Sequence, residues 1–250
     1  MTEENSSFDE LYREDGDLNF EGILYREDSG GWSPSQAIDW DQDIELSEEQ
    51  REAIATGVSQ FLYSNTFHLM LCGRLLERSD DMAVKKLALF LGFSKMRNID
   101  AFGRYLGRIG SRKDVSPHTK EFFKRMTEEE DIPTLVLGMA VLGGTVGYGV
   151  LDKVRDAGDP VARQICDTIR QQKRENEELL VNYLKTVIDQ ADEEELKRLN
   201  ELARFYREKS TKIVQAYAES YEKLGEDPDE ILQHVLDVTD EFYEKVGLEA

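Results

Sequence analysis

From Leu46 to Val246 the apolar residues recur at intervals of three and four, and Gly and Pro break that rhythm only between long segments. No run alternates apolar and polar residues in the way a half-buried strand requires. The chain therefore reads as all-α. Segments of roughly 25 to 30 residues joined by short connections pack as antiparallel neighbours, which is the plan of a helix bundle. At 250 residues the chain is long enough to bury a sizeable core.

The punctuation sets the expected boundaries. Ser47 is followed three positions later by Gln50, a capping-box start. The first long helix is expected over residues 47–77, with Val58, Leu62, Asn65, Leu69, Cys72 and Leu76 along one stripe. A second is expected from residue 79 to 109. A connection over 110–131 carries a short helix over 117–126, and a third long helix follows over 133–157. Asp159-Pro160 opens the fourth, Pro being favoured at a first helical position. Asp192 caps a fifth helix expected to reach 224, and a last one is expected over 229–246. Residues 1–44 are different. They carry Asp, Glu, Ser and Gly with scattered Tyr12, Tyr25, Trp32 and Trp40 and no sustained period. They read as a largely disordered or draped acidic arm. The organisation expected is this arm, a four-helix bundle over 45–190, and C-terminal helices packed on it over 191–250.

The charge balance narrows the partners. There are 52 acidic residues against 31 basic, a formal net charge of −21. Nucleic acid and anionic membrane surfaces are disfavoured. With 14 lysines and 17 arginines, the composition resembles that of proteins from salt-loving organisms, haloarchaea above all, in which molar salt screens self-repulsion. No apolar signal-like segment opens the chain. The longest charge-free run, residues 132–151, holds Pro133 and five glycines and reads as a buried helix rather than a membrane span. Cys72 and Cys166 are isolated, with no CxxC pattern, and fit buried thiols in a reducing cytoplasm.

One stretch does not fit a plain core. In FLGFSKMRNIDAFGRYL, residues 90–106, the apolar stripe is interrupted by Lys95 and Asn98, one helical turn apart. Phe102 follows on the same stripe. A buried amine and amide are costly unless partnered.

This stretch and three others together resemble the ferritin-like superfamily, in its branch of ribonucleotide reductase small subunits and related ligand-binding oxidases. The first helix offers FLYSNTFHLML and the second SKMRNIDAFGRYL. The third offers LVLGMAVLGG and the fourth AGDPVARQICDTIRQQKRENEELL. The resemblance covers roughly residues 45–190. It implies a ferritin-like four-helix bundle in which inward carboxylates and two Glu-x-x-His pairs would hold a di-iron or iron/manganese centre. Carried over position by position, the first carboxylate falls on Asn65 or Thr66. The second-helix pair falls on Lys95 and Asn98, the third-helix Glu on Leu142, and the fourth-helix pair on Gln172 and Glu175. The position of the radical tyrosine falls on Phe102, which cannot form a phenoxyl radical. Five of the six ligand positions have lost the usual chemistry, and a lysine opposes cation binding directly. The expectation is a closed cavity without cofactor, in which Lys95 pairs with Glu175 while Gln172, Asn98 and Asn65 or Thr66 complete the hydrogen bonds. Alternatively, Lys95 snorkels to the surface or serves as an amine of lowered pKa.

Three functions follow. The first is a non-catalytic relative acting as a structural or regulatory partner, as a homodimer or beside an intact paralogue. The second is an oxidoreductase with a metal-free radical or a metal site rearranged onto Glu175, Asp100 and His68. The third is a module for an apolar ligand such as an acyl chain, lodged along Gly138, Gly143, Gly144, Gly147 and Gly149. Tyr105, Tyr148 and His68 read as structural residues, and His118 and His234 are too dispersed to form a site.

Overall fold

A computed structural model of the chain describes residues 32–110, 112–129 and 131–249, without the side chains of residues 144–146, 148, 149 and 172–176. Most of the N-terminal arm lies outside the described residues. Its last part is draped on the bundle. The short α1 (Pro34–Ala37) leads to Trp40, whose indole donates to the Pro34 carbonyl at 2.6 Å. Arg108 donates to the carbonyls of Trp40 and Gln42, and Ile38 is buried.

Four long helical segments form the bundle. They are α2 (Glu48–Arg78), α3 (Met82–Ile109), the run from α5 (Ile132–Ala140) to α6 (Gly147–Ala157), and α7 (Pro160–Gln190). The short α4 (Pro117–Glu128) bridges the second and third. Local chemistry starts each one. Ser47 and Gln50 make the expected reciprocal capping box. Asp81, Ser116, Asp131 and Asp159 each accept a backbone N–H in the first turn of α3, α4, α5 and α7, and Pro stands at the start of α4, α5 and α7. Helices α2 and α3, separated by three residues, pack along their length and so run antiparallel, while α3 also meets α7. No strand occurs among the described residues.

The structure departs from the expected third helix. Between α5 and α6, Val141–Val146 is wound as a π-helix, and the Gly147 N–H reaches back five residues to the Leu142 carbonyl. The expected fifth helix is broken too. It is α8 (Glu193–Gln215) followed by α9 (Ala218–Lys223), because Tyr217 leaves helical geometry. The Tyr217 hydroxyl donates to the Gln60 side chain and accepts from the Ser116 N–H, so tertiary bonds hold the break. The last helix, α10 (Pro228–Val246), ends at Gly247, whose left-handed backbone suits glycine. Helix α10 packs on α6, α7, α8 and the π segment, and α9 packs on α2.

Candidate functional site

The inward faces of α2, α3, the π segment, α6 and α7 line a partly open cavity of about 40 Å³ at the bundle centre. That is room for about three water molecules. Its polar wall holds Ser64, Asn65, His68, Ser94, Lys95 and Asn98, and its apolar wall Phe61, Phe102, Leu142, Leu151 and Ile169. Four of the sequence-predicted positions, Asn65, Lys95, Asn98 and Leu142, thus meet at one place, with Phe102 beside them. Thr66 does not. It is exposed, and its hydroxyl donates to the Leu62 carbonyl, so the inward residue of that pair is Asn65. The side chains of Gln172 and Glu175 lie outside the described residues, and so does the expected pairing of Glu175 with Lys95.

The two buried amides form a directed chain. Asn65 Nδ2 donates to the Phe61 carbonyl at 2.8 Å, which fixes the orientation of its amide. Its Oδ1 then accepts from Asn98 Nδ2 at 3.1 Å. The chain ends on Asn98 Oδ1, an acceptor with no hydrogen-bond partner among the described residues, on a residue only 5% exposed. An acceptor left this way costs about 1–3 kcal/mol.

Lys95 is half-buried as a residue, but dense protein surrounds its amine, and desolvation lowers its pKa. Among the described residues no carboxylate forms an ion pair with it. His68 is 1% exposed. Desolvation, reinforced by the charge of Lys95, pushes its pKa down to about 3, so the ring is neutral. Nδ1 lies 2.8 Å from the Ser64 carbonyl and Nε2 lies 3.3 Å from the Met139 carbonyl, just before the π segment. A neutral imidazole donates from one nitrogen only, and the shorter contact marks Nδ1 as the donor. A Cβ added to Gly143 would stand 2.9 Å from His68 Nε2, so that glycine lets the ring in. Burial also pushes the nearby Cys72 thiol up to about 11. Cys166 is a second buried free thiol.

The other sequence candidates fall elsewhere. Phe102 is buried and stacked on Phe61, with ring centroids 5.1 Å apart. The Tyr105 hydroxyl donates to Asp159 Oδ2 at 2.6 Å, a closed structural contact. The Tyr148 side chain is outside the described residues. Asp100 lies on the exposed face of α3, so it does not join buried His68 in a rearranged metal site. His118 is exposed, and His234 Nε2 stands 3.9 Å from Asp152 Oδ2. Three of the five glycines expected to line an acyl slot face the protein's own atoms, Gly147 the Leu142 carbonyl and the Phe61 ring. Gly138 meets Met126 and Tyr206, and Gly143 meets His68. Sequence reasoning did not place Ser64 and Ser94 in the cavity wall, and it brought His68 there only as a ligand of the alternative, rearranged metal site. The one signal for His68 was its position a turn beyond Asn65.

No protein-family model matches the chain, and no curated protein matches it. Solved structures do. A protein with aldehyde deformylating oxidase activity from Synechococcus is 19% identical, with a TM-score of 0.61 over 82% of this chain and 94% of that one. Two variants of an R2-like ligand-binding oxidase, each with an anaerobically reconstituted Mn/Fe cofactor, are 15% identical with TM-scores of 0.64 and 0.65. They cover 92% of this chain and 96% and 95% of theirs. These likenesses define the fold as a ferritin-like helical bundle.

A metal pair such as the Mn/Fe cofactor of those oxidases does not fit the described donor set. That set offers one imidazole turned to backbone carbonyls, two amides bonded to each other, an aliphatic Leu142 and the amine of Lys95. No three His, Cys, Asp or Glu residues gather to hold a metal ion among the described residues. No described helix is long and apolar enough to cross a membrane.

Proposed function

We propose that this chain is a ferritin-like bundle that does not serve as a di-metal oxidase and acts instead as a structural or regulatory partner, as a homodimer or beside an intact paralogue. One observation carries the reading. The amine of Lys95 and the Asn65–Asn98 amide pair face the central cavity where the resemblance calls for carboxylates and imidazoles. An amine adds no ligand charge when neutral and repels a dication when protonated. Pairing of Lys95 with Glu175 belongs to the same reading. Removing one partner of such a pair is strongly destabilising. Glu175→Ala should therefore cost far more in urea unfolding than an exposed Glu→Ala, and equal costs would refute the pairing. The acidic surface fits a cytoplasm of molar salt. The unfolding temperature should then rise from dilute buffer to molar KCl, and a flat response would remove that part of the reading.

The deciding experiment is metal content per chain by mass spectrometry, on protein purified without chelator in high salt and then incubated with iron and manganese. The expected value is near zero. A value near one or two overturns the proposal. It would favour the second reading, an oxidoreductase with a rearranged centre, which the overall likeness to two kinds of oxidase supports. Solvent extraction of the same preparation tests the apolar-ligand reading, for which copurified fatty acid is the diagnostic result.

A further inference from the structure

The chemistry of the central cavity is selective in a way that the loss of metal ligands does not explain. Its amide chain has a fixed direction, from the Phe61 carbonyl through Asn65 to Asn98, and it ends on an acceptor. Lys95, an amine rich in N–H donors, lines the same space without reaching that acceptor. An occupant must donate to Asn98 Oδ1, and its lone pairs are the match for Lys95. A metal cation fails, because it would sit beside a protonatable amine. A carboxylate or halide fails, because it offers no proton to Asn98 Oδ1. A neutral O–H group meets both demands. The opposite wall is apolar, made by the stacked rings of Phe61 and Phe102 with Leu142, Leu151 and Ile169. A volume of about 40 Å³ admits no more than about three non-hydrogen atoms.

We propose that the cavity is a binding site for one neutral hydroxyl group, carried by water or by an alcohol of one or two carbons, with the O–H donated to Asn98 Oδ1 and any alkyl part against Phe102 and Leu142. This inference rests on the metal-free reading of the bundle centre. Asn98 is the specificity-determining residue, because it demands a donor. Gly143 and His68 shape the wall, since the ring occupies the space a side chain at Gly143 would take.

The test is isotope-filtered NMR on the full chain with labelled methanol and ethanol, with metal content measured on the same sample. Ethanol should give cross-peaks to the Phe102 ring and the Asn98 amide protons. Without alcohol, a long-lived water should show cross-relaxation to that amide. Displacement of this water by ethanol assigns the site to alcohols. A water signal that persists, with no alcohol contacts, assigns the hydroxyl to water. Dimethyl ether, which has no O–H, should bind roughly tenfold or more weakly than ethanol. Asn98→Leu should abolish the alcohol or water contact, and the ether comparison on the unaltered chain keeps the test decisive if that variant folds poorly. Equal binding of ether and ethanol, or no contact from either water or alcohol, overturns the proposal. When contacts are absent, metal near zero means that the hydroxyl site alone has failed. One or two metal ions per chain mean that the metal-free reading has failed with it.

Discussion

Helix α3 carries two buried polar centres about two turns apart, and they are built on opposite principles. At Tyr105 everything is closed. Its hydroxyl donates to Asp159 Oδ2, and Asp159 Oδ1 accepts the backbone N–H groups of Val161 and Ala162 at the start of α7. Burial and the adjacent carboxylate push the Tyr105 pKa far up, so it stays a donor. At Asn98 the chain of hydrogen bonds stops on an open acceptor beside an amine and a cavity. The first centre fastens one helix to another. The second keeps binding capacity unspent. Buried polarity in this bundle is structural where it is saturated, and it marks a site where it is not.

That contrast is sharpest in what each centre costs to remove. Among substitutions of the described side chains, Asp159→Ala should be the most damaging, at about 3 kcal/mol. It deletes the α7 cap, worth about 1 kcal/mol, and leaves a buried hydroxyl unpaired at a further 1–3 kcal/mol. Urea unfolding measures it, and a loss under about 1 kcal/mol would mean the closed centre does not fasten the helices. Tyr105→Phe should cost less, because the cap survives.

Packing at the open centre gives the next effect. Gly143→Ala should cost roughly 1–3 kcal/mol, because its Cβ would press on the His68 ring at 2.9 Å and the ring is held against the Ser64 carbonyl. Gly73, on α2, is the control. Nothing lies within 4 Å of a Cβ there, so Gly73→Ala should stabilise by up to about 1 kcal/mol through helix propensity. Thermal unfolding of the two variants should move in opposite directions. A shift of the same sign in both would show that the ring gives way.

How much of this was legible depends on the range of the interaction. The caps at Ser47, Asp81, Asp159 and Asp192 could be read because each is a contact between a side chain and the next turn of backbone. The break at Tyr217 could not. Its hydroxyl is held by Gln60 and Ser116, which are remote in sequence, and an Ala-Tyr-Ala stretch carries no breaker. The π segment was equally hidden, since a helical glycine pair is compatible with either winding. At the site, Asn65, Lys95, Asn98 and Leu142 were found by resemblance, and the choice between Asn65 and Thr66 waited for the helix to be phased by its packing. His68 was read as one more structural histidine because its meaning lies in Gly143, on a different helix. Pattern along the chain reveals faces, and only the fold reveals which faces meet.

His68 supplies a pH signature for the open centre. Its folded pKa of about 3 lies below the ordinary 6.5, so between those values the unfolded chain binds more protons. Stability then rises with pH across that window and is lost as pH falls through it, with a limiting slope of about 1.4 kcal/mol per pH unit. Carboxylates such as Asp131, held low chiefly by hydrogen bonds from Thr134 and the guanidinium of Arg198, add their own losses at the acid end. The clean interval is therefore about pH 4.5 to 6.5. His68→Gln should flatten the curve there relative to the unaltered chain. Parallel curves would mean that the imidazole takes up its proton as readily folded as unfolded.

The smallest effect belongs to Asn98 itself, and its smallness is the point. Asn98→Leu removes the open acceptor but frees Asn65 Oδ1, so one buried acceptor is unpaired before and one after. The leucine adds apolar contact with Phe102 and Leu142. The net change should lie within about 1 kcal/mol, well below that for Asp159→Ala. A cost as large as at Asp159 would mean that Asn98 Oδ1 is already saturated. The two centres on α3 would then be alike, and the cavity would be a packing defect with no selectivity for a hydroxyl.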